Sequence, residues 1–147
     1  MALSPLAPIG QRQVHLDFHT SEHLENIAVA FSKEGFQAAL KIGQIDSINL
    51  FAKCHHSWSY YPTDIGRMHP NLSLDLLGVQ LEACAEIGIK TQIYYTFGWS
   101  ANDAQEHPEW CVRDRDGNFV TSVSLPKDIA PSDPLPSFHW KLLCPNT

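Results

Sequence analysis

Histidine, aspartate and aromatic residues gather at three places in the sequence, each at the end of an apolar run. Imidazole and carboxylate groups exchange hydrogen bonds with hydroxyls, and Tyr and Trp rings stack on the weakly apolar C–H face of a sugar ring. These residue types therefore predict a carbohydrate-binding site. The candidate substrate-binding residues, in chain order, are Asp17, His19, His55, His56, Trp58, Tyr95 and Trp99.

Three strands separated by two helices would bring these residues together. Apolar alternation predicts a strand over residues 14–19, and dense apolar or aromatic runs predict strands over 47–54 and 90–97. Helical spacing predicts a helix over 32–44, capped by Ser32, and a second one from the Ser73 cap to Gly88. The order β-α-β-α-β implies a parallel sheet, whose strands end together at one edge.

The first strand is predicted to have one apolar and one polar face. The apolar face carries Val14, Leu16 and Phe18, and the polar face carries His15, Asp17 and His19. We interpret His15, which lies deeper in the strand, as a structural residue. The histidines that fall in predicted loops receive no role, and they are His23, His69, His107 and His139.

The fold class predicted from this pattern is α/β, as a partial (β/α)8 TIM barrel with its first three strands and two helices. Residues 1–13 are predicted to form an N-terminal extension, and residues 14–147 are predicted to form the N-terminal part of a truncated barrel. After residue 98 the sequence predicts a long loop with one small hairpin, whose arms, 111–114 and 118–123, flank Asp116 and Gly117. The rest is predicted to be loop because of Pro126, Pro131, Pro134 and Pro136.

Composition excludes several classes of function. The 147 residues are 44% apolar and 18% charged with a formal net charge of −6, and no basic stripe suggests nucleic acid or a membrane as partner. No apolar run has the length of a signal peptide or membrane span, so a soluble, cytoplasmic protein is expected. No C-x-x-C pair occurs, so neither a compact zinc site nor a disulfide framework is indicated, and the main interpretation includes no metal or cofactor. The cysteines are interpreted as buried thiols: Cys54, Cys84, Cys111 and Cys144.

Four segments carry a resemblance to a known family: V-H-L-D-F-H-T, F-A-K-C-H-H-S-W-S-Y-Y-P-T, I-Y-Y-T-F-G-W and H-P-E-W. Together they resemble the hypothetical glycosyl hydrolases often named for a β-galactosidase-type trimerisation domain, and more distantly the α-L-fucosidases. The fucosidases carry K-H-H at the end of strand two, which implies that His55 and His56 bind sugar hydroxyls, although Cys54 interrupts the motif here. Aromatic residues after strand three imply that Tyr95 and Trp99 form a pocket wall.

The resemblance implies a glycoside hydrolase that acts on O-glycosidic bonds of a fucose-like or galactose-like sugar, and it leaves a homo-oligomer as one option for the full-length protein. It also implies a nucleophilic Asp after strand four and a later acid/base carboxylate, both expected beyond Thr147. Retaining hydrolysis needs two carboxyl groups about 5–5.5 Å apart, and no second partner for Asp17 is evident. Asp103, Glu106 and Glu109 are interpreted as solvated loop residues, so the chain alone is expected to be inactive.

Two alternatives remain open at the level of sequence. In a metal-dependent hydrolase barrel, His15, Asp17 and His19 would begin a metal site that His55 or His56 completes. A non-catalytic carbohydrate-binding or assembly module would need no carboxylate pair, and it should fold alone.

Overall fold

The computed structural model describes residues 10–120, which form a mixed α/β structure. Its elements in chain order are β1 (Gln13–His15), α1 (Lys33–Ile42), β2 (Ser47–Lys53), β3 (Trp58–Ser59), β4 (Arg67–Met68), α2 (Leu76–Glu86), β5 (Lys90–Tyr95), α3 (Ala101–Glu106) and a 3-10 turn (Pro108–Trp110). The predicted order β-α-β-α-β is therefore confirmed, with additional short elements in the connections.

The three predicted strands form a parallel sheet with β2 in the middle. β1 pairs with one side of β2, with Val14 opposite Ile48, and β5 pairs with the other side, with Asn49 opposite Gln92. The β2–β5 register shifts between Phe51 and Lys53. The carboxyl ends of β1, β2 and β5 consequently lie at one edge, as the sequence predicted.

One face of the sheet is covered by helices, and the opposite face carries polar residues beside the rings of Phe51 and Tyr94. Ile48 and Leu50 of β2 pack under α1 and α2 in a core that also contains Leu40, Cys84 and Ile89. The residues between them point to the opposite face because side chains alternate along a strand. There Asn49 has His15 and Gln92 as its strand partners, so the polar residues of all three strands share a surface.

The two predicted helices are present, but only the first begins where expected. Ser32 is the N-cap of α1 and accepts a hydrogen bond from the Gly35 amide, as predicted. The prediction that Ser73 caps α2 is wrong: Asp75 is the N-cap, and its side chain accepts from the Gly78 amide at 2.8 Å. Gly88 follows α2 in the left-handed region with φ 70°, a conformation that favours glycine after a helix.

The first strand is shorter than predicted. β1 ends at His15, so Asp17 and His19 lie in the loop that follows and not in the strand itself. Leu16, which belongs to the predicted apolar face of this strand, lies beyond β1 and is 58% exposed. Further along β2, this side pairs with β3 instead, with Lys53 opposite Ser59 and the Tyr60 amide donating to the Ala52 carbonyl at 2.9 Å.

A second core lies at the carboxyl edge and fixes the loops there. Tyr60, fully buried just after β3, donates its hydroxyl hydrogen to the Phe18 carbonyl at 2.9 Å and accepts from the Thr20 amide at 3.1 Å. Phe51 and Leu72 pack in the same cluster. The loop after β1 is thereby attached to the connection after β2. Burial and a thiol partner, Cys54, raise the pKa of Tyr60 well above its usual range.

The segment after β5 differs from the predicted long loop. It contains α3 and the 3-10 turn, so that prediction is wrong for residues 101–110. The predicted hairpin is confirmed at its centre, where Arg113 pairs with Phe119 and the Asp114 amide donates to the Asn118 carbonyl at 2.8 Å. Residues 121–123 of the hairpin and the proline-rich segment lie outside the described residues.

The described cysteines, Cys54, Cys84 and Cys111, are buried free thiols as predicted, and Cys144 lies outside the described range. Burial raises the pKa of the Cys84 thiol. Within residues 10–120, none of the helices combines the length and apolar character that a membrane span requires.

Candidate functional site

Two of the predicted site histidines meet face to face at the carboxyl edge of the sheet. The rings of His19, after β1, and His55, after β2, stack with their centroids 4.0 Å apart and an interplanar angle of 21°. The ring of His56 lies 4.5 Å from that of His55. The loops after β1 and β2 therefore bring together the three histidines that the sequence singled out.

Asp17 joins this group from the solvent side. Its Oδ1 lies 3.3 Å from Nε2 of His19 and 3.3 Å from Nε2 of His15, and its side chain is 73% exposed. Because a carboxylate only accepts, it favours a proton on each Nε2. Nδ1 of His15 then accepts a hydrogen bond from the side-chain nitrogen Nδ2 of Asn49, 2.8 Å away. His15 thus holds a fixed orientation in the polar face, in keeping with its predicted structural role.

Burial disfavours the charged forms of His19 and His56. It lowers the pKa of His19, against the opposing effect of Asp17. Burial, reinforced by the neighbouring His55, also lowers the pKa of His56 to about 4. A neutral imidazole can donate from one ring nitrogen and accept at the other, which is the capacity needed to pair with a hydroxyl. His56 is only 4% exposed, so His55 is the more accessible of the two.

The predicted aromatic residues lie on two sides of the histidines. Trp58 is half-buried in β3, and its Nε1–H donates to a carboxylate oxygen of Glu22 at 3.3 Å. Tyr95 and Trp99, at the end of β5 and beyond it, are 53% and 45% exposed. The Lys53 ammonium lies 5.7 Å from the centre of the Tyr95 ring. Their assignment to a sugar-binding wall stays a prediction.

Glu22 is a site residue that the sequence did not reveal. Hydrogen bonds to its carboxylate from its own backbone and from Trp58 lower its pKa, and His56 is among the titratable side chains that influence it. Nothing in the sequence marked it, because it lies in an irregular loop. That loop is held in place by Asn71, whose side-chain amide donates to the Glu22 carbonyl at 2.9 Å.

The interpretation of Asp103 as a solvated loop residue is wrong. Its carboxylate lies 2.5 Å from the Lys53 ammonium, and the two side chains are only 34% and 13% exposed. Glu106 pairs with Arg67, and Glu109 lies 3.0 Å from the imidazole of His107, both near the surface. The sequence shows that Lys53 lies at the end of the second predicted strand, but it does not show that Asp103, fifty residues later, is the partner of Lys53.

The remaining histidines have local roles. His69 is buried, and its ring nitrogens pair with the Ser21 carbonyl at 3.0 Å and the Asn71 amide at 3.1 Å. His23 is exposed beside Glu22, and His107 stacks on Trp110 with centroids 3.7 Å apart. His139 lies outside the described residues.

The metal-barrel alternative gains no support from this geometry. Among residues 10–120, no group of three or more His, Cys, Asp or Glu side chains is arranged to hold a metal ion. In particular, His15 and His19 both turn Nε2 towards Asp17 at hydrogen-bonding distance.

Comparison with known proteins places this site in a family. The model of the family described as Hypothetical glycosyl hydrolase 6 matches residues 32–147, which is most of the chain. The chain belongs to this family. The match includes the K-C-H-H segment and α3 but begins after the loop that carries Asp17 and His19. A search of curated proteins gave no match.

A solved structure is also similar to this family member. Alpha-L-fucosidase isoenzyme 2 from Paenibacillus thiaminolyticus is 44% identical to it, with a TM-score of 0.74 over 88% of this chain. The chain spans 18% of the length of that fucosidase. The predicted resemblance to hypothetical glycosyl hydrolases and to α-L-fucosidases is thereby confirmed.

Proposed function

We propose that this chain forms the sugar-binding edge of a glycoside hydrolase that cleaves O-glycosidic bonds of a fucose-like or galactose-like sugar. The observation that carries the proposal is the stack of His19 on His55 at 4.0 Å, with the exposed Asp17 carboxylate beside it. Membership of a glycosyl hydrolase family and similarity to an alpha-L-fucosidase support it.

In this proposal the half-buried His55 meets a sugar hydroxyl directly, and Asp17 accepts a second hydroxyl hydrogen. His56 is buried beside His55 and its pKa is about 4, so near neutral pH it adds no positive charge next to that ring. The exposed rings of Tyr95 and Trp99 offer flat surfaces for the C–H face of the sugar.

Bond cleavage needs a nucleophile or base and an acid, supplied by two carboxyl groups. We propose that these come from outside residues 10–120, in a (β/α)8 barrel of which β1, β2 and β5 are the first three strands. The greater length of the similar fucosidase supports this division between sugar binding and cleavage.

Sugar binding by the protein tests the proposal. L-fucose and D-galactose are titrated by isothermal calorimetry, with D-glucose as the reference sugar. Replacement His55→Ala removes one hydrogen bond to a hydroxyl, worth about 1–1.5 kcal/mol, so affinity should fall roughly tenfold. The matched control is His107→Ala, which removes a histidine that stacks on Trp110 beyond α3.

Binding of fucose or galactose that depends on His55 and not on His107 supports the proposal. Equal affinity of the wild type and the His55 variant would overturn the assignment of that residue. Absence of binding to either sugar, at concentrations up to the solubility limit, would overturn the proposed sugar class.

A further inference from the structure

The first turn of α3 is bound to the turn that carries the site histidines. We call residues 54–57 the histidine turn, which is closed by a hydrogen bond from the Ser57 amide to the Cys54 carbonyl at 2.9 Å. The Ala101 amide donates to the His55 carbonyl at 2.9 Å. Two further amides of the first turn of α3, those of residues 102 and 103, donate to Oγ of Ser57 at 3.0 and 3.2 Å.

This arrangement is an N-cap supplied by a distant segment. A helix leaves its first amide groups without intrahelical acceptors, and the residue before the helix normally satisfies one of them. Ser100 occupies that position in α3 but its side chain makes no capping hydrogen bond. Ser57, from the histidine turn, accepts in its place, so α3 and the turn depend on each other for their hydrogen bonds.

A buried polar network closes the same contact. Oγ of Ser100 lies 2.5 Å from Oγ of Ser57 and also donates to Asp103. The Asp103 carboxylate is 2.5 Å from the Lys53 ammonium at the end of β2. Ser57 and Ser100 are 3% and 2% exposed, so water cannot readily substitute for these partners. The network runs without a gap from the end of β2 through α3 to the histidine turn.

The backbone of the histidine turn is strained where this network holds it. Ser57 has φ 78°, in the left-handed region that residues with a side chain rarely adopt. Such a conformation is unfavourable by itself and persists when surrounding contacts fix it. The capping hydrogen bonds that Ser57 accepts are the contacts that do so here.

We propose that Ser57, Asp103 and Lys53 are positioning residues that hold the ring of His55 against His19 for sugar binding. They act through the backbone of the histidine turn and through α3, and none of them has to touch the sugar. The claim that this geometry serves sugar binding rests on the proposed function. The geometry itself can be measured without a sugar.

The first test is spectroscopic and uses the sugar-free protein. Stacked imidazoles shift each other's ring-proton resonances through their ring currents, so the stack has an NMR signature. Asp103→Asn removes the charge that pairs with Lys53 but keeps the side-chain shape, and it should move the His19 and His55 ring resonances towards unstacked values. The matched control, Glu109→Gln, removes an exposed carboxylate beyond α3 and should leave both resonances unchanged.

The second test separates capping from strain at Ser57. Ser57→Ala removes the hydroxyl that accepts from the α3 amides and keeps the strained backbone conformation. Ser57→Gly removes the hydroxyl and also relieves the strain. If the hydroxyl positions the turn, both variants should lose the stacked resonances, and glycine should not restore them. Lys53→Arg keeps the positive charge opposite Asp103 and should retain most of the stack, which a Lys53→Met variant should lose.

The sugar titration then links geometry to binding. Asp103→Asn should weaken affinity for fucose or galactose about fivefold, a loss of roughly 1 kcal/mol. The backbone amide spectrum of this variant should remain that of a folded protein. Unchanged ring resonances in both the Asp103 and the Ser57 variants would overturn the positioning role. If the resonances respond but the wild type binds no sugar, the positioning role stands and the proposed function fails.

Discussion

At the scale of single residues, the site contains two imidazoles whose charged forms are disfavoured by burial, those of His19 and His56. His56 lies among other titratable side chains, with His55, His19 and His69 disfavouring its protonation and Glu22 favouring it. Burial is the largest effect, and it lowers the pKa of His56 to about 4, against about 6.5 in an unfolded chain. Folding therefore excludes a proton that the unfolded chain would bind in mildly acidic solution.

This difference predicts a pH-dependent stability. Above about pH 6.5 His56 is neutral in both states, so it adds no pH dependence. As the pH falls from about 6.5 to about 4, only the unfolded chain takes up the proton, and the free energy of unfolding should fall by on the order of 2–3 kcal/mol. Urea denaturation at pH 7.5 and 4.5 measures this loss.

The matched variant for this measurement is His56→Gln, which has no ionisable group at that position. Protonation of carboxylates with lowered pKa values, such as Glu22, also destabilises the folded protein in acid, but this happens in the wild type and in the variant. The wild type should therefore lose more stability between the two pH values than the variant. Equal losses would mean that His56 is protonated as readily in the folded protein as in the unfolded one.

The sequence predicted which histidines lie close together in the site, but it did not predict how exposed each of them is. Histidines directly after two parallel strands must lie near one another, because such strands end at one edge. The burial of His56 depends on the loop with Glu22, and that loop is fixed by Tyr60 and Asn71, more than thirty residues away in the sequence. No local pattern encodes that closure.

At the scale of elements, the same limit applies to helix starts. Ser32 was recognised as the cap of α1 because it immediately precedes the helical pattern. For α2 two candidates stand two residues apart, Ser73 and Asp75, and only the structure shows which one the Gly78 amide meets. α3 was missed altogether because part of its cap comes from Ser57, a residue that no rule about neighbouring positions would consider.

The cap of α2 can be tested directly. Asp75→Ala should lower the free energy of unfolding by about 1 kcal/mol, because the Gly78 amide loses its acceptor. Ser73→Ala should change it by less than about 0.5 kcal/mol, as is usual for a surface substitution without a structural role. Chemical denaturation of the two variants beside the wild type makes the comparison. A larger effect at Ser73 would restore the start of α2 that the sequence suggested.

At the scale of the whole molecule, the described part of the chain has two open sheet edges. Among residues 10–120, β1 and β5 each pair only with β2. Beside β5 an alternating row of large side chains is exposed, and it consists of Ile93, Tyr95, Phe97 and Trp99. Unpaired strand edges flanked by apolar side chains favour pairing with another chain. The parallel sheet order was predictable from the alternation of strands and helices, but the identity of the exposed row was not.

The open edge predicts that a polypeptide of these 147 residues associates with itself as its concentration rises. Replacing Ile93 and Phe97 together with Lys places two charges beside β5, so it should oppose edge-to-edge pairing and shift the average mass towards the 16.5 kDa monomer. Ile65→Lys is the matched control, because Ile65 is fully exposed but lies between β3 and β4. Light scattering coupled to size exclusion measures the mass over a concentration series. If the wild type is monomeric at every concentration, the β5 edge does not associate. If Ile65→Lys lowers the average mass as much as the double replacement does, general surface charge controls association, and not this edge.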